Sequence, residues 1–127
     1  MKLWLALMCV VSLGMASMTE AVFEKARQEK KLVWVFVELP TCPWCAKMHK
    51  EVVESGVYAR ALSASYVLVR MEGKEARELG FNVAHFPTSL LIHPVSQKVV
   101  ELLPGYMKVE DFVEYLTLVY DLEKDGL

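Results

Sequence analysis

The chain reads as an α/β fold with a central mixed sheet flanked by helices, and three stretches carry that reading. First, Leu32-Val33-Trp34-Val35-Phe36-Val37-Glu38 is a β-branched and aromatic run of strand length. It delivers Cys42-Pro43-Trp44-Cys45 onto the helical spacing of Ala46 to Glu54. Second, that helix separates it from another apolar strand, Tyr66 to Met71, the arrangement of a crossover and hence of a parallel pair. Third, Thr88 to Ile92 and Lys98 to Leu103 flank His93-Pro94-Val95-Ser96-Gln97, a turn with Pro at a favoured position, so these strands form an antiparallel hairpin.

At 127 residues, 54% hydrophobic and 24% charged, the chain has material for one core and hardly for two. Lys and Arg number 14 against 16 Asp and Glu, a net of -2, and no stretch interleaves basic residues with aromatics. Nothing here argues for nucleic acid. Residues 1–16 have the pattern of an export signal: Lys2, the apolar run Leu3 to Val11, then small residues ending Gly14-Met15-Ala16. Cleavage is expected after Ala16, leaving one domain over 17–127. The apolar run is short for a membrane span, an uncleaved anchor being the alternative. Cys9 departs with the signal, and the two remaining cysteines, an even count for an oxidising compartment, are the CxxC pair itself.

The elements follow in order. Ser17 and Glu20 have capping-box spacing, and Met18, Val22, Phe23 and Ala26 share one face of a three-turn helix whose opposite face, with Glu24, Arg27 and Lys31, is expected to be solvated. Leu32 to Glu38 is nearly all apolar, as a central strand covered on both sides should be. After the cysteines, Cys45, Met48 and Val52 fall on one inward helix face, and Glu54-Ser55-Gly56 signals its end. Gly56 to Ser65 is a short irregular or helical connection, and Lys74 to Leu79 a short helix. Val109, Phe112, Val113, Leu116 and Tyr120 make the apolar stripe of a closing helix.

Two thiols two residues apart at a helix start can close a small disulfide, and the helix N-terminus stabilises the thiolate nearest its unpaired amides. A structural disulfide or half of a zinc site is the alternative, but no second CxxC and no HxxxH is present. Cys42, at the exposed helix start, is the expected nucleophile. Cys45, one turn in, is the expected resolving thiol. Trp44, in the turn between the thiols, is a candidate for substrate contact.

The element order, together with Cys42-Pro43-Trp44-Cys45 and Phe86-Pro87-Thr88, closely resembles the thioredoxin fold family over essentially all of 17–127. The resemblance implies that Pro87 is cis and packs beside the redox pair. Pro87 follows Cys42 by 45 residues, which leaves no room for the helical insertion of DsbA-type oxidases. Gly105 matches the glycine after the family's last strand. With its export signal the chain looks most like periplasmic thioredoxin-related proteins, including the SoxW type. By the same resemblance Phe86, Pro87 and His85 border the substrate groove, where a protonated His85 would favour the Cys42 thiolate.

Six positions depart from the family pattern. Pro43-Trp44 replaces Gly-Pro and resembles glutaredoxin. The buried acid expected six residues before the first cysteine is Phe36, while Glu38 lies two residues further along the same strand face, where it is the candidate proton-handling carboxylate. Lys50 replaces a helix-kinking Pro, so a straighter helix is expected. Asn82 and His85 replace two glycines; Asn tolerates a left-handed backbone more readily than His.

The expected function is thiol-disulfide exchange with cysteines of other proteins in the periplasm or another exported location. The chain is expected to act as a monomer without a cofactor and to be recharged by a membrane or periplasmic redox partner. The alternative is a periplasmic copper-binding chaperone using Cys42 and Cys45 with Met48 or His49, since soft sulfur ligands select Cu(I). His49 is otherwise expected to be a half-buried helix residue.

Overall fold

The computed structural model describes residues 20–127. The expected signal, its cleavage point, Cys9 and the capping residue Ser17 lie outside the described residues. Among the described residues, no helix is long and apolar enough to cross a membrane.

The elements run α1 (Glu20–Glu29), β1 (Leu32–Glu38), α2 (Pro43–Met48), a π-helical turn (His49–Val53), α3 (Gly56–Ser63), β2 (Tyr66–Glu72), α4 (Gly73–Glu78), β3 (Thr88–Ile92), β4 (Val99–Pro104), α5 (Val109–Glu123) and a terminal 3₁₀ turn. The four strands lie in the order β2-β1-β3-β4. β1 pairs parallel with β2 and antiparallel with β3, and β3 pairs antiparallel with β4, so the sheet is mixed as expected.

Period-two alternation along β1 divides the core. Leu32, Trp34 and Phe36 face α2, the π turn, α3 and α5, packing with Met48, Val52, Leu62, Phe112 and Leu116. Val33, Val35 and Val37 face α1 and α4 with Ala26, Val69, Ala76, Leu90 and Ile92. The strand is therefore buried on both faces, and its end beside β2 and β3 is a rigid platform for the cysteine loop.

Gly56–Ser63 is a regular helix, the helical one of the two forms expected for this connection. Three expectations change. The helix after the cysteines is not straighter: it passes from α2 into the π turn His49–Val53, where Glu54 N–H donates to His49 O at 2.9 Å. Lys50 brings no proline kink, but the i to i+5 bond of the π turn interrupts the regular helix at the same place. Arg27 is half-buried rather than simply solvated, donating to Pro94 O at 3.0 Å and pairing with Glu20 at 2.5 Å, and so ties α1 to the hairpin turn. Asn82 and His85 both keep negative φ, because the left-handed residue of this stretch is Gly80 (φ 90).

Candidate active site

The site is built where β1 ends. Leu39 to Thr41 carry the chain off the sheet, and Cys42, in an extended conformation (φ -125°, ψ 108°), caps α2 with Pro43 in its first turn. The Cys45 N–H donates to Cys42 Sγ at 3.2 Å, and Cys42 and Cys45 form a disulfide with Cα atoms 5.2 Å apart. Cys42 is half-buried, whereas Cys45 is 1% exposed. One sulfur is thus reachable and the other is not. In the reduced form the same amide stabilises negative charge on Cys42, since a thiolate accepts an N–H bond more strongly than a thiol does.

Across from the pair, the Phe86–Pro87 peptide is cis and Phe86 O lies 3.8 Å from Cys42 Sγ. This stretch is held on three sides. Gly105, at φ 82, donates its N–H to Pro87 O at 2.7 Å, and Thr88 Oγ1 donates to His85 O at 2.6 Å. The Phe86 ring lies under the Arg77 guanidinium (5.6 Å) and on Gly73, where any Cβ would collide with it.

A shallow groove beside this strand start is lined by Trp44, His85, Phe86, Pro104, Gly105 and Tyr106. Trp44 is 55% exposed and packs against Tyr106 (centroids 5.2 Å), with Lys47 Nζ over both rings. Tyr106 donates its hydroxyl to Glu51 Oε2 at 2.5 Å. That hydrogen bond, then burial and the charges of Glu51 and Glu110, push the phenol up to about 12. The aromatic wall is thereby tied to the turn after α2.

Behind the disulfide is a second hollow, lined by Cys42 and Cys45 together with Glu38, His49, Lys50, Glu54, Arg70 and Glu72. Glu38 does sit at the strand end near the pair. Its Oε1 accepts from Arg70 Nε at 3.0 Å and from Nη2 at 2.5 Å, so accepting a proton would mean giving up charge-assisted bonds. Phe36 is fully buried and fills the place of the expected acid. His49 is half-buried as expected, with Nδ1 3.3 Å from Glu54 Oε1. Met48 is a core residue at 1% exposure, and among the described residues no three His, Cys, Asp or Glu are grouped to hold a metal ion.

The structure therefore brings together Cys42, Cys45, Trp44, Phe86 and Pro87, with His85 exposed at the groove and Glu38 in the hollow behind. Sequence reasoning missed Tyr106, Arg70 and Gly73. Tyr106 follows Gly105 directly, and an aromatic after a left-handed glycine beside the expected site was a usable signal. Arg70 and Gly73 meet Glu38 and Phe86 only through long-range strand pairing.

A family model described as a thioredoxin-like domain matches residues 19–120. Human spermatogenesis-associated protein 20 is 34% identical over 56 residues, which is 44% of this chain and 7% of that protein. The chain thus spans a small fraction of that relative's length. A thioredoxin from Thermus thermophilus superposes with a TM-score of 0.64 at 24% identity, over 78% of this chain and 81% of that one. A disulphide isomerase from Xylella fastidiosa superposes with a TM-score of 0.66 at 10% identity, over 85% and 93% of the two chains.

Proposed function

Since the chain belongs to the thioredoxin-like domain family, we propose that it is a thiol-disulfide oxidoreductase acting on cysteines of other proteins. The observation that carries this reading is the asymmetric disulfide: a reachable Cys42 whose sulfur accepts the Cys45 N–H and faces Phe86 O, against a buried Cys45. In the reducing direction the Cys42 thiolate attacks one sulfur of a substrate disulfide, and the other leaves as a thiolate. Cys45 then loses its proton and attacks Cys42 Sγ, releasing the second substrate sulfur. Two electrons pass to the substrate, and the Cys42–Cys45 bond forms. The reverse sequence oxidises a dithiol.

An extended substrate segment runs in the groove between the Trp44–Tyr106 wall and Phe86-Pro87, with His85 at its rim. The pattern of Lys2, Leu3 to Val11 and Gly14-Met15-Ala16 supports export, and so a SoxW-like periplasmic setting with a membrane or periplasmic recycling partner and a monomeric protein.

Cys45→Ser in cells tests the roles. It should accumulate covalent partners through Cys42, separable on reduction, while Cys42→Ser should accumulate few. Equal trapping by both variants or by neither would overturn the assignment. One equivalent of Cu(I) bound by the reduced protein, without insulin reduction, would favour the copper carrier instead.

A further inference from the structure

The oxidoreductase reading leaves a proton without an acceptor. Cys45 is 1% exposed, and burial disfavours its thiolate, so collapse of the mixed disulfide needs a nearby base. Phe36 occupies the place of the acid that would have served. The titratable and charged groups around the hollow beside Cys45 are Glu38 from β1, Arg70 and Glu72 from β2, and His49, Lys50 and Glu54 from the π turn and its end. Arg70 and Lys50 are cations. Glu38 is held by Arg70, and Glu72 is exposed.

His49 has the required placement. It lies one turn beyond Cys45, its backbone N–H donates to Cys45 O, and its ring packs against the buried Phe36 ring (centroids 6.4 Å). The side chain is 17% exposed and shares the hollow with both cysteines. Glu54 Oε1 lies 3.3 Å from Nδ1, which favours the proton on that nitrogen and leaves Nε2 as the accepting one. The π turn produces this pairing. In a regular α-helix at 3.6 residues per turn, a residue five positions on lies about 140° around the axis. With the i to i+5 bond from Glu54 N–H to His49 O, the two side chains come to one side. The hollow, about 610 Å³, has ample room for a bridging water, which needs about 10–15 Å³ of such space.

We propose that His49, oriented by Glu54, accepts the Cys45 proton through water when the mixed disulfide collapses, a step that rests on the oxidoreductase reading. The proton leaves Cys45 Sγ for His49 Nε2, and the thiolate's electron pair forms the bond to Cys42 Sγ. The bond from Cys42 to the substrate sulfur breaks, and that sulfur leaves with its pair. The imidazolium then returns its proton to the departing thiolate or to solvent.

Quenched-flow mass spectrometry of the reduced full-length protein with glutathione disulfide separates the steps. The glutathionylated intermediate forms at a rate proportional to glutathione disulfide and decays by a first-order collapse. His49→Gln should slow the collapse by about ten- to a hundredfold at pH 7. It should leave intermediate formation unchanged, and the collapse that remains should rise with pH as the Cys45 thiol itself ionises. Glu54→Gln should give a smaller loss, and added imidazole should restore part of the His49→Gln rate, which a merely structural role would not allow. Wild-type collapse rate and pH profile in His49→Gln would overturn the proposal, as would a slow collapse in Glu38→Gln with His49→Gln silent. A wild-type protein that never forms the intermediate would instead overturn the oxidoreductase reading, and this proposal with it.

Discussion

Gly73→Ala probes how the redox pair is positioned from outside the cysteine loop. Gly73 is buried at the start of α4, and a Cβ there would lie 2.6 Å from Cε1 and 2.7 Å from Cζ of Phe86, and 3.3 Å from Cδ2 of Leu39. Ordinary contact begins near 3.4 Å, so the ring must retreat by about 0.8 Å. Its freedom is small, because Arg77 lies over the ring and the chain runs directly into the buried Pro87, tied to Gly105. Backbone conformation is no obstacle. Gly73 has no positive φ, and Ala is favoured over Gly in a helix by about 1 kcal/mol. Overpacking costs about 1–3 kcal/mol, which leaves a net destabilisation of roughly 0–2 kcal/mol. The larger effect falls on the chemistry. Phe86 O stands 3.8 Å from Cys42 Sγ and moves with its ring, and a misplacement near 1 Å costs up to about a hundredfold in rate. Urea unfolding should therefore show a small loss, while insulin reduction should fall by about tenfold or more. Phe86→Leu in the Gly73→Ala background should recover part of the stability, a coupling that a double-mutant cycle measures. Wild-type activity in Gly73→Ala, or additive effects in the cycle, would refute the reasoning.

Three further outcomes are expected. Phe36→Ala should cost about 3–5 kcal/mol in urea unfolding, because the ring is fully buried among Trp34, Met48 and Phe112. Tyr106 should ionise near 12 in a spectrophotometric titration, and Tyr106→Phe should remove that step. Because the fold raises this phenol from 10, the stability it contributes is fully present below pH 10 and is lost as pH rises through about 12. Lys47→Ala should raise Trp44 exposure to a soluble quencher, since Lys47 Nζ covers both Trp44 (5.4 Å) and Tyr106 (4.8 Å). Unchanged quenching would mean the aromatic wall stands without it.

Much of the fold and the centre of the site were legible in the sequence, because both rest on local patterns. The continuous apolar run Leu32 to Val37, short and rich in β-branched and aromatic residues, reads as a strand covered on both faces, and β1 lies between β2 and β3. The spacing of Cys45, Met48 and Val52 alone set their shared inward face, and all three are buried. The Cys42-x-x-Cys45 separation matches one helical turn, which brings the thiols within bonding distance at a helix start. What the sequence left open depends on which residues become neighbours across the fold. Glu38 read as a candidate proton-handling carboxylate, and only the pairing of β1 with β2 set Arg70 beside it. Arg27 read as solvated until the hairpin turn brought Pro94 O to its guanidinium. The π turn has no composition of its own. It keeps Met48 and Val52 both in the core, and its wider turn places Glu54 against His49. Gly73 shows the same limit from the other side: its missing Cβ matters only because Phe86, thirteen residues later, folds back onto it. Periodicity specifies which face of an element is apolar, whereas the partner that meets each face is decided by long-range pairing and packing.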